Sequence, residues 1–293
     1  MSLNAMENFA NESEKNRKCM IEAGTAKAMT MVVIRCFKEG KSIGLDEAMQ
    51  ILSLTWTPEN KDIVEESSDI INAIIWVLKY KTDTHILVRK KTNAILVLKM
   101  VIEVASSSLL ERLKPEFYKV MVNLLREKVA DVALKGVLRI LLEACSLGHN
   151  RMKIVENGAV TELLEIEMEN TDKHITELIF CLLGHLCGCA DGREEFLNHA
   201  GGIALVAERI LKVSDMTDDQ ALQILASIAR FSSATNLVSS EMLKVGAVSK
   251  LCMVLQSDCA SHVKKRAMEI LRLHNNVWRG SPCYCCLSHN NVV

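Results

Sequence analysis

Apolar residues spaced three and four apart recur along almost the whole chain, and alternating apolar and polar segments of useful length do not occur. Six of these runs are long: LDEAMQILSLTW, RKKTNAILVLKMVIEVA, VALKGVLRILLEACSL, ITELIFCLLGHLCGCA, DDQALQILASIARFS and VKKRAMEILRLHNNVW. Each places apolar side chains at i, i+3, i+4 and i+7, the stripe of an amphipathic helix. Between them lie shorter units of a second kind: NRKCMIEAGTAKAM from Asn16, NRMKIVENGAVTELL from Asn150, GREEFLNHAGGIALV from Gly192 and SSEMLKVGAVSKLCMVL from Ser239. Each is a short amphipathic run, a glycine and a second run. Gly158, Gly202 and Gly246 fall 44 residues apart, and Gly24 lies 134 before Gly158, leaving room for two more copies. DIINAIIWVL from Asp69 and PEFYKVMVNLL from Pro115 fill those places. A glycine one helix-length into the unit can adopt the left-handed conformation that ends one helix and lets the next leave steeply. Three helices in a unit of about 43 residues is the armadillo arrangement, as opposed to two-helix repeats of about 33 or 34. The fold expected is all-α, an armadillo-type right-handed α-solenoid of about six three-helix repeats.

Aligning the long runs predicts solvent-facing pairs on the third helices: Gln50 with Leu54, Leu96 with Met100, Arg139 with Glu143, Cys181 with His185, Gln223 with Ser227, and Glu269 with Leu273. Successive first members are 46, 43, 42, 42 and 46 apart, so stacked repeats would set them as a ladder on the concave surface. Gln50, Leu96, Met100, Arg139, Glu143, His185, Gln223, Ser227 and Glu269 are therefore the candidate partner-binding groove. Taken singly, each reads equally well as solvated helix surface, and Arg139 with Glu143 as an i, i+4 pair. No linker interrupts the repeats, which predicts one array over residues 1–278. The period is lost at Gly280 and Pro282, which predicts a flexible, cysteine-containing tail over 279–293.

Composition narrows the class further. At 293 residues the chain is long for one compact core but ordinary for a stack of repeats. Hydrophobic residues make up 49% and aromatics only 4%, with three prolines, as packed helices require. Lys and Arg total 35 against 36 Asp and Glu, so no strong field exists to attract nucleic acid. Eleven cysteines, an odd number scattered through helical runs, fit a reducing compartment. No basic start precedes an apolar stretch, and Leu178 to Ala190 is too short to span a bilayer. These features predict a cytoplasmic protein without a transmembrane segment, with nuclear or membrane association through partners left open.

Candidate chemistry is sparse. Cys283, Cys285, Cys286 and His289 suit zinc by ligand type, but C-x-C-C-x-x-H spacing is poor for a tetrahedral site. Cys187 and Cys189 near His185 resemble a nucleophile pair, yet residues i and i+2 on a helix point to different faces. Asp218 with Asp219, and Glu194 with Glu195, are read as helix-start charges complementing the dipole. The turns EAGTA and NGAV lack the Lys-Ser/Thr pair of a phosphate loop. No catalytic residue, cofactor or metal is expected.

CADGREEFLNHAGGIALVAERILKVS, ARFSSATNLVSSEMLKVGAVSKLCMVLQSDC and KKRAMEILRLHNNVWRGSPC, with NESEKNRKCMIEAGTAKAM and GLDEAMQILSLTW, resemble the C-terminal armadillo region of plant U-box E3 ubiquitin ligases, most closely their elicitor- and stress-responsive subgroup. That resemblance implies a module that recruits a protein substrate or signalling partner, in ubiquitin conjugation and plant defence. In the family the U-box recruits the ubiquitin-charged E2. The chain's only prolines, Pro58, Pro115 and Pro282, do not sit in the Cys-Pro-Ile or Asp-Pro-Val of a U-box. An E2 is therefore a partner only if a U-box is encoded upstream, and ligase activity belongs to the family resemblance. The open alternatives are a truncated or spliced form, or a non-catalytic armadillo scaffold or competitor that holds the same partners.

Overall fold

Left-handed glycines end the first helix of three repeats. Gly24, Gly158 and Gly246 have φ of 71°, 84° and 78° and stand directly before helices Thr25–Glu39, Ala159–Glu169 and Ala247–Gln256. A side chain other than glycine is strained there, which explains the recurrence of the residue at this point of the unit. Gly202 departs from this expectation, because its backbone is not left-handed. Instead a Cβ on Gly202 would lie 3.0 Å from the Phe196 carbonyl oxygen, so glycine is needed there for close approach.

The computed structural model describes residues 2–67, 69–79, 85–127, 129–231 and 236–278, with side chains from residue 91 onward in the helix beginning at His85. Helix follows helix throughout, and no strand occurs among the described residues. The six long amphipathic runs are the third helices Leu45–Thr55, His85–Glu103, Asp131–Ala144, Lys173–Leu186, Asp215–Phe231 and Ser261–Leu273. The tail over 279–293, with the cysteine and histidine cluster considered for zinc, lies outside the described residues.

The chain divides into two compact units, Met1–Asn150 and Arg151–Val293. In the first, the third helices Leu45–Thr55, His85–Glu103 and Asp131–Ala144 pack side by side. Ile51, Leu52, Ile95, Leu98, Val137, Leu138 and Leu141, spaced along their apolar stripes, are fully buried. An additional helix, Leu3–Glu12, packs against Leu45–Thr55 and occupies the place a preceding third helix would take. Ser2 caps it by accepting the Ala5 N–H at 3.3 Å. At ten residues it is shorter than the long runs that mark the other third helices, and its place in the stack is set by contact with Leu45–Thr55.

In the second unit, Lys173–Leu186, Asp215–Phe231 and Ser261–Leu273 pack in the same manner around Leu182, Leu183, Leu222, Leu225, Ile270 and Leu271. Polar ties one repeat apart hold the spacing. The guanidinium of Arg209 donates to the fully buried Glu167 carboxylate at 2.7 Å and to the Glu167 carbonyl at 2.9 Å. The Glu195 carboxylate accepts the Thr161 N–H at 3.1 Å. Glu194 and Glu195 were expected at the start of their own helix, but that helix begins at Ala190. The Glu195 charge complements the first turn of Ala159–Glu169 instead.

Candidate partner-binding surface

Every residue of the expected ladder lies on a third helix, and the helices differ in how much of each side chain they leave to solvent. Gln50 lies half-buried on Leu45–Thr55, and Leu96 and Met100 half-buried on His85–Glu103. Arg139 and Glu143 are exposed on Asp131–Ala144. In the second unit His185 is exposed on Lys173–Leu186, Gln223 and Ser227 are half-buried on Asp215–Phe231, and Glu269 is exposed on Ser261–Leu273. Leu273, one turn beyond Glu269, is 46% exposed.

The geometry separates groups that bind neighbouring repeats from groups turned outward. The Gln50 side-chain oxygen accepts a hydrogen bond from the Asn93 amide one repeat on. Ser227 donates its hydroxyl to the Cys187 carbonyl at 2.7 Å, at the end of the preceding third helix. Both therefore set register between stacked helices. Gln223 lies beside Gly184, where an added Cβ would meet the Gln220 side chain, so glycine brings these two third helices close together.

Around His185 the second unit gathers cationic groups at a helix C-terminus. Arg193 donates to the Cys187 carbonyl at 3.3 Å, and its guanidinium lies 3.9 Å from the centre of the Phe231 ring. Cations at this end oppose the negative pole of Lys173–Leu186. Partial burial, and then the charge of Arg151, holds the His185 pKa below its ordinary value. The neutral imidazole can both donate and accept hydrogen bonds.

Sequence reasoning missed Asn93, Met216 and Phe231 on these faces. Asn93 precedes Leu96 by three and Phe231 follows Ser227 by four, so the i, i+3 and i, i+4 rule reaches both from residues already chosen. Phe231 is 65% exposed. Met216 is signalled by tertiary contact alone, its sulfur 4.0 Å from that of Cys181 across one repeat.

Among the described residues, the thiols nearest His185 are held in their protonated form or turned away from it. Burial pushes the Cys187 thiol up to about 12, with Cys189 adding to the effect, and burial likewise raises Cys181. Cys187 points into the core, away from the exposed His185. Asp218 and Asp219 do not share a pocket. The Asp218 carboxylate accepts the Leu211 N–H at 2.7 Å, and Asp219 pairs with Arg266 of the next third helix. What the surface can offer is hydrogen bonding, apolar contact and a cation–π platform. Among the described residues no helix is long and apolar enough to cross a membrane.

Stacked three-helix units with periodic positions on their third helices define an armadillo-repeat fold. Solved structures agree: a computationally designed armadillo repeat protein for modular peptide recognition superposes with a TM-score of 0.65 at 13% identity, covering 82% of this chain and 98% of that one. A designed armadillo repeat protein in complex with the peptide (KR)4 gives 0.62 at 15% identity, with 82% and 97% covered. Residues 1–291 match the plant U-box protein ARM repeat region, and the chain belongs to that family. It is 35% identical to the Arabidopsis thaliana E3 ubiquitin-protein ligase PUB24 over 311 aligned residues, covering 92% of this chain and 67% of the relative. With PUB23 of the same plant it shares 34% identity, covering 96% and 68%. The chain thus spans about two thirds of the length of these ligases.

Proposed function

We propose that this chain recruits a protein substrate or signalling partner for plant U-box ubiquitin ligation in defence or stress signalling, and that it works in the cytoplasm. The observation that carries the proposal is the regular placement of the candidate side chains on successive third helices of an array whose relatives include E3 ligases. The designed neighbours for peptide recognition and with bound (KR)4 add support from fold. Arg139, Glu143, Leu96 and Met100 would contact the partner in the first unit, and His185, Gln223 and Glu269 in the second. Gln50 and Ser227 would contribute by holding register. Residues 1–278 would form the binding array, with 279–293 as an appended tail.

The test uses partners captured from plant extract by the wild-type chain and then measured singly with purified components. Arg139→Ala with Glu143→Ala, and separately His185→Ala with Gln223→Ala, should weaken binding about tenfold or more, since interface energy concentrates in a few central contacts. Melting temperature should barely move for Arg139→Ala with Glu143→Ala, because exposed helix positions tolerate Ala within about 0.5 kcal/mol, and should move somewhat more for the pair that includes the half-buried Gln223. Unchanged affinity in both folded variants would remove these residues from the reading.

A further inference from the structure

A pocket of about 280 Å³ opens in the first unit among second helices and the residues leading into one of them, and no third helix lines it. Ile71, Ile75, Leu113 and Phe117 form a buried apolar floor. The half-buried rings of Phe37 and Trp76, 6.0 Å apart and tilted by 59°, form a wall. At the rim stand three exposed cations, Lys79, Arg112 and Lys114, against a single carboxylate, Glu116. Lys79 already engages Glu116 at 2.8 Å. Arg112 spends its Nε on the Ser108 carbonyl at 3.0 Å, and among the described residues neither Arg112 nor Lys114 meets a carboxylate. The helix Pro115–Arg126 begins at the same rim, so its positive pole adds to the potential of the two cations.

We propose that this pocket is a second docking site, which takes a short acidic peptide segment of a partner protein by burying one bulky apolar side chain flanked by Asp or Glu. Two features of the pocket select that occupant. The volume, about 280 Å³, lies at the lower end of enclosed binding sites and suits the single apolar anchor that dominates many peptide interfaces. The surplus of positive charge favours carboxylates beside the anchor and repels a basic segment. Partner segments bound here would leave the third-helix faces free, so the inference goes beyond the function proposed above and does not depend on it.

A phage-displayed library of short peptides, panned against the full chain, tests the proposal. The enriched sequences should share a Leu, Phe or Trp with Asp or Glu on both sides. A fluorescein-labelled copy of the most enriched peptide is then titrated by anisotropy. Arg112→Glu with Lys114→Glu should weaken it at least about tenfold, as should Trp76→Ala, and added salt should weaken it further. His185→Ala with Gln223→Ala should leave its affinity unchanged, which separates failure of this site from failure of the third-helix reading. Circular dichroism and melting curves establish that each variant is folded. Absence of enrichment, enrichment without the acidic-apolar pattern, or binding indifferent to the charge reversal in a folded chain would each overturn the proposal.

Discussion

Leu211, with φ of 61°, is the one non-glycine residue in left-handed backbone among the described residues, and such a conformation costs about 1–2 kcal/mol. The buried Asp218 carboxylate holds it by accepting its N–H, a bond reaching seven residues back. Burial is the larger influence on Asp218 and keeps its pKa above the ordinary value. A carboxyl with a raised folded pKa binds its proton more readily folded than unfolded. Its contribution to stability therefore grows as pH falls through the raised value and levels off below the ordinary one. Wild type should lose less stability than Asp218→Asn between about pH 7 and about pH 4.5, measured by urea unfolding. The reverse ordering would contradict the burial argument. Asp218→Ala should cost about 1–3 kcal/mol, and Leu211→Gly in the same chain should recover part of it. A second residue-scale expectation concerns thiols. Cys187, buried and pushed up to about 12, should resist iodoacetamide in the folded chain, while the exposed Cys19 reacts. Peptide mapping by mass spectrometry reads the two sites separately, and comparable labelling of both would show that the core opens.

At the scale of helices, Asn16 and Asn150 open corresponding copies of the repeat but bond to carbonyls of different neighbours, seven and forty residues back. Asn16 donates its amide to the Phe9 carbonyl at 2.9 Å, and Asn150 to the Leu110 carbonyl at 3.0 Å. Asn150 also accepts the Tyr118 hydroxyl, and its side chain is fully buried. Asn150→Ala removes an acceptor and a donor from a closed network, so melting should fall by the equivalent of about 2–4 kcal/mol. Adding Tyr118→Phe should cost less in that background than in the wild type, because the two share the bond. Equal costs would mean that the residues act independently. The recurrence of Asn-Arg in the repeat was visible in the sequence, but the carbonyl it serves was not, since that bond is made only when helices stack. The same distinction runs through the fold. The third helices were legible because their apolar stripe persists for three turns or more, and Gly24, Gly158 and Gly246 because a left-handed turn demands that residue. Leu3–Glu12 was not picked out, and Gly202 and Glu195 were placed wrongly, because tertiary contacts decide all three. The candidate surface was legible only as a set of stations. Gln50 and Ser227 are tied to neighbouring repeats, while Phe231 lies outward on the stripe that Ser227 continues.

For the whole molecule, the proposed recruiting role raises the question of what the array would contribute to ubiquitin transfer. Covalent relay would require a thiol ionised near neutral pH, and burial moves Cys36, Cys181 and Cys187, three of the eight described cysteines, away from that state. The alternative is non-covalent, with a U-box holding and orienting a charged E2, and Pro58 and Pro115 lie in sequence contexts unlike that motif. The 293-residue chain, mixed with E1, a set of E2 enzymes, ubiquitin and ATP, is therefore expected to form no ubiquitin chains. In a reaction driven by PUB24 with a substrate that both proteins bind, increasing amounts of this chain should lower substrate ubiquitination while leaving PUB24 autoubiquitination unchanged. That pattern follows if the chain competes for the substrate and not for the E2. Core damage provides the control: Leu225→Ala should cost about 2–5 kcal/mol and reduce competition through unfolding, visible in a melting curve. Loss of PUB24 autoubiquitination would instead place an E2 contact on the repeats, and chain formation by this protein alone would show that they carry an E2-activating surface of their own.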